Sequence, residues 1–146
     1  MTNIKSFMTD DHRRCDNFFT DVERAIAAQD WERATTDFNS FFESVEQHFA
    51  AEEGTLFPAF EARSGMTMGP TQVMRDEHVQ MRELMSAARE ALAAKDADEY
   101  SGNAETLLIM MQQHNMKEEN VLYPMCDDHL ADQMTTLLPQ LRLKLD

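Results

Sequence analysis

Apolar residues recur along this chain at alternating steps of three and four, in four separate stretches. The first holds His12, Cys15, Phe19, Val22 and Ile26; the second Ala34, Phe38, Phe41, Val45, His48 and Glu52. The third holds Met74, His78, Met81, Met85, Ala88 and Leu92; the fourth Tyr100, Ala104, Leu107, Met111, His114 and Glu118. At about 3.6 residues per turn, such steps keep each set on one side of a helix. The pattern therefore predicts four helices that bury these sides against one another. Gln29-Asp30 and Lys95-Asp96 mark two bends, and each Asp can cap the following helix by accepting from its free N–H groups. The segment Ser64-Gly65-Met66-Thr67-Met68-Gly69-Pro70 marks a third break, with Thr71 the expected N-cap of the third helix.

Short connections make consecutive helices antiparallel neighbours. The expected fold is all-α: one domain over residues 1–146, an antiparallel up-down-up-down four-helix bundle with a short C-terminal helical tail. Composition agrees, since only four Gly and four Pro in 146 residues leave little material for a turn-rich β architecture.

The bundle is expected to be two copies of one hairpin. His12 and His78, His48 and His114, and Glu52 and Glu118 are each 66 residues apart. The same offset lays Ala25, Ala27, Ala28 and Asp30 on Ala91, Ala93, Ala94 and Asp96. It also lays Glu53, Leu56 and Pro58 on Glu119, Leu122 and Pro124. So many matches without a gap mark a duplication.

Polar residues inside the apolar stripes change the picture. A single His on such a stripe is ordinarily a core histidine with a hydrogen-bond partner. Here each of four helices carries one, and two add a Glu four residues on, which returns to the same face after about 400° of rotation. In an antiparallel bundle these six residues meet at one end. Two buried carboxylates with four imidazoles would strain a domain whose net stability is about 5–15 kcal/mol, and bound cations offset that cost most simply. Mixed imidazole and carboxylate donors suit iron or manganese, whereas a structural zinc site is usually a closed set of four, often with thiolates. Six ligands imply two metals. By the internal symmetry His12 and His48 would serve one and His78 and His114 the other, bridged by Glu52 and Glu118. Each metal would keep positions for an oxo or hydroxo bridge and an outside ligand.

The motifs His48-Phe-Ala-Ala-Glu52-Glu53 with Leu56-Phe57-Pro58, and His114-Asn-Met-Lys-Glu118-Glu119 with Leu122-Tyr123-Pro124, preceded by His12 and His78, resemble the hemerythrin-like (HHE cation-binding) family. The resemblance spans residues 7 to 126. It implies a non-haem di-iron centre that binds oxygen, nitric oxide or peroxide, in a stress-response or sensing role. Met74 stands where the oxygen carriers of the family place an extra His, and HxxxE replaces their HxxxxD in the last motif. On that count the chain looks more like the bacterial iron-centre repair proteins, which implies iron donation for repair of iron–sulfur clusters as the alternative role, with an iron–sulfur protein as partner.

Other residues receive quieter readings. His129, off the fourth stripe, is expected at the surface or behind the site rather than as a ligand. Glu53, Glu119, Asp11 and Glu77 adjoin the six and are expected to be solvated or to stand behind them. Tyr123, mirror of Phe57, is expected to pack at the bundle end, the alternative being a hydroxyl near the centre that hydrogen-bonds a bound oxygen species. Pro58 and Pro124 should kink or stop their helices and shape the mouth of the site. Cys15, whose mirror is Met81, is expected to pack, and with Cys126 it forms no framework for a disulfide or a thiolate metal site. The net charge of −14 disfavours nucleic acid and anionic membrane. With no apolar run long enough for a span or a leader, a cytoplasmic home is expected.

Overall fold

A computed structural model describes residues 2–145. Helix α1 runs over Ile4–Ala27 and α2 over Trp31–Ala51; a wide π-helical turn, Glu52–Leu56, leads into α3, Phe57–Ser64. After the break come α4 (Pro70–Ala93), α5 (Ala97–Lys117), a second π turn (Glu118–Leu122) and α6 (Tyr123–His129). A 3₁₀ turn, Ala131–Gln133, then joins α7 (Met134–Leu145). No strand occurs among the described residues. The bounds of α4, α5 and the second π turn lie 66 residues beyond those of α1, α2 and the first, so the repeat read in the sequence is repeated in structure.

Helix α1 packs along α2 and α4 along α5, while α2 with α4 and α1 with α5 close the bundle. The hairpin bends form as expected. Asp30 accepts from the Arg33 N–H at 3.1 Å and Asp96 from the Glu99 N–H at 3.0 Å. In each bend the residue before the Asp, Gln29 (φ 57°) or Lys95 (φ 56°), is left-handed. Asp30 N–H reaches back to the Ala25 carbonyl and Gln29 N–H to that of Ile26, closing α1 in a Schellman arrangement. Helix α4 departs from expectation. It begins at Pro70 with Gly69 as cap, because a proline's fixed φ and missing N–H suit the first helical position. Thr71 is instead inside the helix, fully buried, donating its hydroxyl to Glu61 at 2.7 Å.

Two apolar clusters make the core. One fills the body of the bundle with Phe19, Phe38, Phe41, Val45, Met81, Met85, Leu107 and their neighbours. The other closes the far end, where Ile4 and Met8 meet Leu56, Phe60, Leu122 and Cys126, and α7 lays Leu137 and Leu141 over them. Asp127 of α6 ties this end together by accepting from the Ile4 and Lys5 N–H groups at the start of α1 (2.8 and 3.1 Å).

The two prolines do not stop their helices. Without an N–H, Pro58 and Pro124 cannot bond the carbonyls four residues back. The chain absorbs this by widening one turn, so that Phe57 N–H reaches Glu52 O and Tyr123 N–H reaches Glu118 O, five residues back. Both helices then continue into α3 and α6. Where the prolines were expected to shape a mouth, the apolar cluster of the far end covers the site.

Candidate metal centre

The six polar residues of the stripes come together between the two apolar clusters. His12 and His78 occupy equivalent places on α1 and α4, and His48 and His114 lie one turn before the ends of α2 and α5. Glu52 and Glu118 open the two π turns. None of the six is more than 4% exposed, and both glutamates are completely buried. Atoms of Glu52, His78, His114 and Glu118 lie within 4.8 Å of one another, as do atoms of His12, His48 and Glu118. Glu118 therefore belongs to both halves. Glu52 also reaches both, its Oε1 lying 3.1 Å from His78 Nε2 and 3.6 Å from His48 Nε2.

Each imidazole is steadied from behind by a carboxylate. Nδ1–H of His12 donates to Glu119 (2.7 Å), of His48 to Asp11 (2.7 Å), of His78 to Glu53 (2.7 Å) and of His114 to Glu77 (2.9 Å). A carboxylate can only accept here, which places a proton on Nδ1 and leaves Nε2 of each ring facing inward. The 66-residue symmetry holds throughout, since Asp11 mirrors Glu77 and Glu53 mirrors Glu119. Basic side chains fix three of the four carboxylates: Arg14 holds Asp11, Arg82 grips Glu53 with two N–H groups, and Lys117 pairs with Glu77. This backing was only partly legible in the sequence. Its signal was an acidic residue adjoining each ligand motif.

The inward atoms show whether the cluster fits a cation. Among the described residues, the buried side-chain polar atoms with no hydrogen-bond partner are Glu52 Oε1, Glu118 Oε2, His78 Nε2, His114 Nε2 and, elsewhere, Thr9 Oγ1. Four of the five thus lie in this one centre. His78 Nε2 and Glu52 Oε1 are 3.1 Å apart yet not aligned as donor and acceptor, so they face a common point rather than each other. A buried polar atom left unpaired costs about 1–3 kcal/mol, and a cation at that point turns all four into ligands. The donor set fits a metal.

Charges in the metal-free centre lean on one another. Burial alone would lower the His114 pKa, but the nearby Glu118 and Glu52 carboxylates and the bond to Glu77 push it up to about 9. Burial alone would raise that of Glu52, yet His48 beside it holds the carboxyl well below its usual range. Without metal, protons on the imidazoles do the neutralising.

One pair of mirror positions breaks the symmetry inside the centre. Tyr123, completely buried, places its hydroxyl oxygen 2.7 Å from Glu52 Oε2, 3.0 Å from Glu118 Oε1, and 3.2 Å from Nε2 of both His12 and His48. In an unbroken α-helix the fifth residue after Glu118 would point about 140° away. The wide π turn brings it back over the glutamate. Of the two readings of Tyr123, packing at the bundle end and a hydroxyl near the centre, the structure shows the second, for which the Tyr-for-Phe difference between the repeats was the sequence signal. On the other half Phe57 flanks His78, and Phe49 stacks on the His78 ring at 3.8 Å between centroids. On the body side, a cavity of about 10 Å³ lies among His12, Cys15, Val45, His48, Phe49, Met111 and Asn115.

His129 is exposed, its ring edge-on to Phe60. Cys15 is buried in the body cluster. No helix among the described residues is long and apolar enough to cross a membrane. No curated protein and no solved structure matches the chain at significance. A family model, the hemerythrin HHE cation-binding domain, matches residues 3–126, which takes in every residue of the cluster. With that match over most of its length, the chain belongs to the hemerythrin HHE cation-binding family.

Proposed function

We propose that the protein holds two iron ions through His12, His48, Glu52, His78, His114 and Glu118, and uses them to bind or react with a small ligand such as oxygen, nitric oxide or peroxide. The observation that carries this reading is the pair of buried His and Glu groups that share Glu118, together with the unpartnered Nε2 atoms of His78 and His114 and carboxylate oxygens of Glu52 and Glu118. Hard carboxylate and intermediate imidazole donors with no thiolate favour iron, with manganese as the alternative. The metals would supply redox chemistry and open positions for the ligand.

The chain's own residues do the rest. Asp11, Glu53, Glu77 and Glu119 hold each imidazole in one tautomer and one orientation. The two apolar clusters exclude bulk water, and the cavity beside His12 and His48, about the volume needed for one water molecule, limits an incoming ligand to a few atoms. The same enclosure favours ligand chemistry over iron donation, because releasing iron would require the bundle to open.

Metal analysis of the freshly purified protein should give two irons per chain, with bound metal raising the melting temperature and chelation lowering it. Adding oxygen, peroxide or nitric oxide to the reduced protein under anaerobic conditions should change its absorption. Fewer than one metal per chain after iron loading, or a spectrum indifferent to all three, would overturn the reading. Transfer of iron to a cluster-depleted enzyme, absent with the stripped protein, would instead favour donation.

A further inference from the structure

We propose that Tyr123 is itself a metal ligand, binding through its phenolate oxygen the metal held by His12 and His48. The two halves of the centre are then chemically different despite the repeat. This inference rests on the two-metal reading and adds a seventh ligand to it.

Distances carry the assignment. In an octahedral shell with metal–ligand bonds of about 2.1 Å, neighbouring ligand atoms stand about 3.0 Å apart, and each vertex has four such neighbours. The Tyr123 oxygen has four: Glu52 Oε2, Glu118 Oε1, His12 Nε2 and His48 Nε2, at 2.7, 3.0, 3.2 and 3.2 Å. A phenol has one proton to donate, so it cannot donate to the Glu52 and Glu118 carboxylates together, whatever it accepts from the imidazoles. Crowding one oxygen against two carboxylates and two imidazoles is explained when all five atoms face a cation.

Position supports the assignment. The π turn Glu118–Leu122 delivers residue 123 to the face of its glutamate, and its mirror delivers Phe57, which has no oxygen to offer. Tyr123 enters from the end-cap cluster, whereas the small cavity lies on the body side of His12 and His48. Ligation by Tyr123 therefore leaves the cavity free for an outside ligand. On coordination the phenol O–H bond is replaced by an oxygen–metal bond, and the proton leaves to solvent through the Glu52 carboxylate it already faces.

The test compares the full-length protein with Tyr123→Phe, the residue already accommodated at the mirror position, after loading with iron(II) and oxidation by ferricyanide. Both proteins should retain two irons per chain. The unsubstituted protein should show a visible phenolate-to-iron charge-transfer band, with tyrosinate ring modes in its resonance Raman spectrum. Tyr123→Phe should lose both, and Tyr100→Phe, which removes the other of the chain's two tyrosines, should keep both. Should Tyr123→Phe fail to fold, the ring modes in the unsubstituted protein and in Tyr100→Phe still decide the matter. Two irons without tyrosinate modes, or a band that survives in Tyr123→Phe, would overturn ligation by Tyr123 while leaving the two-metal centre standing. Failure of the unsubstituted protein to hold iron would overturn both.

Discussion

Glu119 is the most accessible of the four carboxylates behind the imidazoles, its side chain 30% exposed against 26% for Glu53, 16% for Glu77 and 7% for Asp11. It therefore isolates the effect of orienting a ligand from the effect of core packing. Glu119→Ala removes the acceptor for His12 Nδ1–H, frees the ring to turn and lowers the basicity of Nε2. Metal affinity should fall about 10–100-fold while the helical content stays unchanged. Competition against a chelator of known strength measures it, and an affinity equal to that of the unsubstituted protein would show that Glu119 orients nothing.

At the scale of elements, the hairpin bends are the places where local preference yields to the fold. Gln29 and Lys95 adopt left-handed conformations in Schellman bends where glycine is the usual occupant. Because that conformation costs a side-chain-bearing residue about 1–2 kcal/mol, partly offset by glycine's greater freedom when unfolded, Gln29→Gly and Lys95→Gly should each stabilise the protein by up to about 1 kcal/mol. Denaturant midpoints that drop for both variants would contradict this account. The π turns show the opposite relation, since Pro58 and Pro124 impose a departure from the α ladder. What they impose is useful, because the extra residue in the turn places Phe57 and Tyr123 against the polar cluster.

Across the whole molecule, the buried centre links metal, protons and stability. In the stripped protein the His114 pKa is about 9, against about 6.5 for an ordinary imidazole. A raised folded-state pKa contributes stability that is fully present below about 6.5 and is lost as pH climbs through about 9. The denaturation midpoint of chelator-treated protein should accordingly fall across this window. Metal needs imidazoles free of protons, so the gain from loading should grow over the same range. A midpoint of stripped protein that rises with pH would contradict the proton-neutralised centre. The end cap matters at this scale too. Leu141 of α7 is completely buried, although α7 lies beyond the residues matched by the family model. Leu141→Ala should cost about 2–5 kcal/mol, read from chemical denaturation, as expected for a residue of the core rather than of a loose tail.

The range of each interaction decides how much of this was legible in the chain. Helix number, bends, the duplication and the six inward polar residues could be read from the order of residues alone, because helical periodicity is local and a repeat displays each ligand position twice. Where those helices lie relative to one another decided everything else. Asp11 steadies His48 across 37 positions and Glu119 steadies His12 across 107, and no spacing rule connects residues so far apart. The entry of Tyr123 into the centre depended on the widened turn before Pro124 together with packing against the end cap. Local periodicity chose which side chains face inward, and tertiary structure chose which of them meet, because contact between distant segments is a property of packing geometry rather than of sequence spacing.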